Sequence, residues 1–140
     1  LVDKKQEAAA AQSIPFFNED EGVFIALAIA NVGVKVETLE QSMDSVTFRL
    51  KNELVGEREF QKVKNQITTD LVSSKATMAG IAESLANNEV YFGDANLINT
   101  ELEKYNKVTR EDVLSVAKKY LNKDNRVVLY YLPKQKTSSK

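Results

Sequence analysis

The sequence contains no histidine and no cysteine. Without cysteine there are no disulfides and no thiolate metal sites, although that absence does not identify a compartment. Histidine is the commonest protein metal ligand and the commonest general base near neutral pH. Its absence removes zinc triads, histidine-activated serine or cysteine nucleophiles and most hydrolytic sites. Neither sign of charge prevails: 19 Lys and Arg face 20 Asp and Glu, a net charge of −1. No overall basic field exists to hold nucleic acid or an anionic membrane surface. Long hydrophobic runs are also missing. The longest, Val23 to Ala30, is too short to cross a bilayer, and residues 1–12 lack the charged-then-apolar order of a signal peptide. The five glycines, at 22, 33, 56, 80 and 93, are too scattered to form a phosphate-cradling loop.

At 140 residues, 43% hydrophobic and 28% charged, the chain has the composition of one folded domain. Residues 7–17 (EAAAAQSIPFF) and 23–31 (VFIALAIAN) read as a β-hairpin joined by about five residues. The alanines suit a helix by propensity; Pro15 and the two phenylalanines after it favour a strand. The unbroken apolar character of the second strand suggests a central strand, covered on both faces.

Beyond Gly33 the period changes. Val36, Leu39, Met43, Val46, Leu50 and Leu54 step by three and four, the stripe of an amphipathic helix. Gly56 breaks it. Phe60, Val63, Ile67 and Leu71 form a second stripe, and Met78, Ile81, Ala82 and Leu85 a third helix or a bent continuation of the second. Asp94 is placed to cap a short helix carrying Leu97, Ile98, Leu102 and Tyr105. In VTREDV, Thr109 is an N-cap, Asp112 completes a capping-box variant, and Val108 is placed to staple onto Val113. After a turn at 122–125, RVVLYYL (126–132) reads as a β-strand stopped by Pro133. The expected fold is α+β: a two-layer sandwich with four or five helices on one face of a mostly antiparallel sheet. Residues 1–133 form the expected unit and 134–140 a mobile tail. Because the chain enters a strand almost at once, an earlier strand and helix are expected to be missing, making this a fragment of a larger unit.

The densest cluster of ligand atoms is Glu19-Asp20-Glu21 in FFNEDEGVF. Neighbouring carboxylates in a tight tip diverge, and the D-x-D-x-D-G spacing of a calcium loop is absent, so a solvated hairpin tip is the better reading. Glu57 with Glu59, and Glu111 with Asp112, fall at helix starts, where carboxylates complement the helix dipole rather than serve acid-base catalysis. Ser73, Ser74 and Thr77 have no base to activate them. Tyr91, Phe92, Tyr130 and Tyr131 lack the interleaved basic residues of a base-stacking surface and suit core or interface. No catalytic, cofactor-binding or metal-binding residue is expected in this chain.

The ordered succession of segments resembles the insulinase, pitrilysin and processing-peptidase family of zinc metallopeptidases. LVDKKQEAAAAQ looks like the helix end and strand that begin a repeating unit, and GVFIALAIAN like its central strand. GEREFQKVKNQI is similar to a characteristic helix start, and VTREDVLSVAKKYLNKDNRVVLYYLP to the unit's final helix and strand. The resemblance implies similar α/β units arranged as a clamshell around a closed chamber. Zinc is held in a catalytic unit by an H-x-x-E-H motif and a distant glutamate, where it polarises the scissile carbonyl and activates water. A histidine-free chain would be a non-catalytic unit, not an enzyme alone, with zinc in a catalytic unit of the same or a companion chain. Its partners would be that unit and a peptide substrate in the chamber, with no nucleic acid and no membrane insertion. In many relatives a non-catalytic unit supplies an arginine and, seven residues on, a tyrosine; Val2 and Ala9 stand at those places here. The bacterial relatives favour a periplasmic location. Two other readings stay open on the residues: a structural or assembly subunit of the same fold, and an unrelated α+β module binding peptides through a strand edge.

Overall fold

In the computed structural model, residues 1–17 and 20–132 are described. Strands β1 (Ala8–Phe16) and β2 (Val23–Ala30) form an antiparallel pair, with Phe16 opposite Val23, Ile14 opposite Ile25 and Ala8 opposite Ala30. An irregularity between Ala8 and Ala10 shifts the register. The alanine run is strand because its backbone groups are satisfied across the ladder; tertiary pairing outweighs helix propensity. Gly22 lies where the hairpin closes: a Cβ there would stand 2.5 Å from the Phe16 carbonyl oxygen.

Five helices follow: α1 (Val36–Asn52), α2 (Glu57–Ser74), α3 (Met78–Phe92), α4 (Leu97–Lys107) and α5 (Arg110–Tyr120). The third stripe is thus a separate helix. The break before it is enforced by Gly80, whose added Cβ would fall 1.8 Å from the Ser74 carbonyl oxygen, and by Thr77, whose hydroxyl accepts from the Gly80 N–H at 3.1 Å. Gly93 ends α3 in the left-handed region at φ 69°, its N–H donating to the Glu89 carbonyl and that of Asp94 to Asn88. Asp94 is not the cap of α4: Asn96 holds that position, and the Asp94 carboxylate accepts from the Asn96 N–H at 2.9 Å. Asp94 shapes the turn two residues early because its short side chain bonds its own downstream backbone. The expected capping box is present on α5, with Asp112 N–H to Thr109 Oγ1 at 3.1 Å and Thr109 N–H to Asp112 Oδ2 at 2.8 Å.

The centre of the packing lies where α1 meets α5 and β2. Ala8, Leu39 and Ala117 are buried there with Ser42, whose hydroxyl accepts from Lys5 Nζ at 2.9 Å. Two lysines tie α2 and its end to α4. Lys64 Nζ donates to the Asn106 and Val108 carbonyl oxygens at 2.7 and 3.2 Å, satisfying acceptors that the end of α4 leaves unpaired. Lys75 Nζ donates to the Ile98 carbonyl at 2.8 Å and pairs with Glu101 at 3.2 Å.

The α+β architecture, the antiparallel hairpin and the five helices agree with the expectation from sequence. Two details differ. Residues 126–132 are not a strand: among the described residues the sheet has two strands, and RVVLYYL follows a short 3-10 turn (Lys123–Asn125) without a ladder partner. β-Propensity measures fit to a neighbouring strand, and here no neighbour is supplied. Nor is β2 covered on both faces. Val23, Phe24 and Ile29 are each 56% exposed; α1 packs on this strand, and at its Val23–Phe24 end, where neighbouring side chains point to opposite faces, both faces are exposed. The tail 134–140 lies outside the described residues.

Candidate functional site

The acidic tip does not assemble a site among the described residues. Glu19 lies outside them, and Asp20 and Glu21 are exposed. Glu57 and Glu59 occupy the first turn of α2, and Glu57 pairs with Arg110 Nε at 3.2 Å. Arg110 also donates to the Val55 carbonyl at 3.2 Å, so this pair docks α5 onto the connection before α2. Glu111 and Asp112 open α5. Hydrogen bonds from the Thr109 hydroxyl and N–H hold the Asp112 carboxyl below its ordinary range. The Ser74 hydroxyl donates to the Leu71 carbonyl at 2.9 Å, and Thr77 caps α3. These contacts are those of helix ends. Tyr91, Phe92 and Tyr131 are exposed, so they do not lie in this chain's own core. Val2 and Ala9 bring no charged or hydroxyl group to the start of β1.

The most organised polar cluster went unnoticed in the sequence. Glu40 and Asp44, one turn apart on α1, face Arg126 and Tyr130 of the C-terminal segment. Arg126 pairs bidentately with Asp44 and reaches Glu40 Oε1 at 3.1 Å, while the Tyr130 hydroxyl donates to Glu40 Oε2. Lys123 Nζ stands 3.8 Å from Asp44. The hydrogen bond from Arg126 holds the Asp44 carboxyl below its ordinary range, burial opposing it only partly. The hydrogen bond to Glu40 raises the Tyr130 phenol, whose ionisation would cost that donor. A signal was available: residues four apart share a helix face, and residues four apart in an extended chain share a side. With both carboxylates committed to Arg126 and Tyr130, the cluster is a clasp rather than an acid-base pair.

The zinc implied for the family's catalytic unit does not fit these residues. No histidine or cysteine exists to bind it, and among the described residues no three acidic side chains gather where they could hold an ion. The better-enclosed hollow, about 300 Å3 between α3 and α4, is lined mainly by apolar side chains, with Phe92, Leu97, Tyr105 and Val108 among them. Its polar lining residues are Asn88, Glu101 and Lys104, and Glu101 is paired with Lys75. No described helix is long and apolar enough to cross a membrane.

No protein-family model matches the chain. Over 94 residues, 64% of the chain, it is 33% identical to zinc protease PqqE of Helicobacter pylori (strain ATCC 700392 / 26695). A solved protease from Helicobacter pylori superposes on 87% of the chain with a TM-score of 0.76 and 25% identity. In sequence and in fold the chain is similar to bacterial proteases, one of them named a zinc protease. It spans about a fifth (21%) of the curated relative and 29% of the solved Helicobacter chain. The same fold occurs in the inactive peptidase domain of a protein designated a zinc protease from Bordetella parapertussis, with TM-score 0.74, 16% identity, and coverage of 94% of this chain and 72% of that one. It occurs also in the periplasmic protease PqqL of Escherichia coli, with TM-score 0.62, 16% identity, and coverage of 85% and 13%. These last two likenesses are of fold.

Proposed function

We propose that this chain is a non-catalytic unit of an insulinase-type zinc metallopeptidase, residues 1–133 forming that single unit. It packs against the zinc-bearing unit of the same or a companion chain, completes the clamshell chamber and helps enclose peptide substrate. The observation that carries this reading is a histidine-free sequence on the fold of a zinc-protease family. The inactive Bordetella domain, whose fold covers most of this chain, supports it. Zinc, the attacking water and the general base then belong to the partner unit. This unit contributes surface: uncovered strands and apolar helix faces, which cost solvation when left in water and are stabilised by burial against another unit. With Val2 and Ala9 at the arginine and tyrosine places, it contributes shape to the chamber and no charge at those positions. A periplasmic site of action fits the described location of the Escherichia coli neighbour.

The test is peptidase activity. The purified 140 residues are expected to cleave no peptide and to retain no stoichiometric zinc after dialysis, whereas activity appears when the zinc-bearing unit is present. Metal-dependent cleavage by these residues alone would falsify the proposal.

A further inference from the structure

The hollow between α3 and α4 is built by two helix faces. Leu97, Glu101, Lys104 and Val108 step by four, three and four, which puts them along one side of α4 and its C-terminal cap. Asn88 and Phe92 face them from the last turns of α3, before Gly93 turns the chain back. The walls are apolar, and Phe92 is 70% exposed, so hydrophobic surface lies open to water here. The charges around it do not cancel. The Glu101 carboxylate is taken by Lys75 at 3.2 Å. Lys104 pairs with no carboxylate among the described residues, and neither does Lys64, whose Nζ donates to the Val108 carbonyl at 3.2 Å. The Asn88 carboxamide likewise makes no hydrogen bond with a described residue. An apolar hollow therefore carries a positive excess at its rim, beside one unsatisfied group able both to donate and to accept.

We propose that this hollow binds the C-terminal residue of a peptide that ends in an apolar side chain. That side chain fills the hollow against Phe92, Leu97 and Val108, where burial removes its surface and theirs from water. The terminal carboxylate pairs with the ammonium of Lys104, an interaction strengthened by the apolar surroundings. Asn88 donates to and accepts from the last peptide group, as a carboxamide is able to do. Charge selects which end of the peptide enters: an amino terminus would meet Lys104 and Lys64, and an acidic last side chain would lie unpaired among apolar walls. The volume, about 300 Å3, is at the lower end for ligand sites and suits one side chain rather than a long acyl chain. A free carboxylic acid would also leave Asn88 unsatisfied. The proposal deepens the reading of this chain as a peptidase unit and rests on it for the source of such ends, since cleavage of a peptide bond creates a new C-terminal carboxylate.

The test is titration of the purified chain, followed by amide NMR, with an acetylated peptide of three alanines and a terminal phenylalanine, as the free acid and as the C-terminal amide. The free acid should shift the backbone signals of Phe92, Leu97, Lys104 and Tyr105 in a saturable way, and the amidated peptide should bind about tenfold more weakly. Lys104→Met keeps the stem and removes the charge at an exposed position, so folding should be unchanged. It should lower the affinity for the free acid by about tenfold and leave that for the amidated peptide as it was. Lys104→Arg should restore most of the loss, whereas a merely structural Lys104 would move both peptides alike. Equal affinity for acid and amide, unaltered binding in Lys104→Met, or no saturable shift at millimolar peptide overturns the proposal. So does phenylpropionate or octanoate binding as tightly as the peptide, which would make the ligand a free carboxylic acid. Failure here, with peptidase activity still appearing when the zinc-bearing unit is added, leaves the functional reading standing. Zinc-dependent cleavage by the chain alone overturns that reading and not the pocket.

Discussion

Gly80 shows how one absent side chain sets a local structure. A Cβ at that position would meet a backbone oxygen of Ser74 at 1.8 Å, and no side-chain rotation relieves it. Gly80→Ala gains helix propensity worth about 1 kcal/mol yet forces the end of α2 away from α3, at a cost of about 1 to 3 kcal/mol or more. A net loss of stability in urea unfolding is therefore expected; an unchanged or raised midpoint would contradict the close approach. The clasp residues respond to pH with definite signs. The Asp44 carboxyl is held below its ordinary 3.8, so its contribution is full above that value and is lost as pH falls further. The Tyr130 phenol is raised above its ordinary 10.0, so its contribution is full below that value and is lost as pH climbs past it. Proteolytic nicking within 126–132 should accordingly be slowest between about pH 4 and pH 10 and accelerate outside that window. Arg126→Ala should remove the acidic limb; persistence of that limb would deny Asp44 its role.

Helix ends are the elements in which local chemistry and final structure agree most closely. Thr109 and Asp112 exchange hydrogen bonds within four residues, so the start of α5 is specified without reference to the rest of the fold. Thr109→Ala should cost about 1 kcal/mol and fray the first turn of α5, seen as faster amide exchange at Asp112 and Val113. Because α5 carries buried Ala117 against α1, the loss should reach global stability too. Asp94 marks the limit of such reasoning. A capping residue type upstream of an apolar stripe was legible, but whether it caps or shapes the preceding turn depends on two intervening backbone conformations. The segment 126–132 has every local mark of a strand, yet a strand exists by virtue of its neighbour. Likewise Glu40, Asp44, Arg126 and Tyr130 each show the right spacing within their own element, while their meeting depends on how the chain returns to α1.

At the scale of the molecule the buried apolar centre is small, comprising Ala8, Leu39 and Ala117 among the described residues, while Met78, Val90, Tyr91 and Phe92 on α3 stand 86%, 76%, 64% and 70% exposed. Apolar surface on this scale marks an interface, and a two-stranded hairpin is marginal without further cover. The isolated chain should bind a hydrophobic dye such as ANS and associate as its concentration rises, and addition of the zinc-bearing unit should suppress both. A monomeric chain that binds no dye at any concentration would mean that these faces need no partner.

The sequence by itself determined the period of each helix, the capping box at Thr109, the break at Gly56 and the absence of histidine and cysteine ligands for zinc. These are matters of residue type and spacing over a few positions, where backbone sterics and side-chain chemistry act locally. Only the tertiary structure decided that the second strand is largely exposed, that the last apolar stretch has no ladder partner among the described residues, and that Arg126 and Tyr130 fasten it to α1. Those outcomes depend on which surfaces meet. Burial and strand pairing are properties of two elements brought together, and no stretch of sequence contains its own partner.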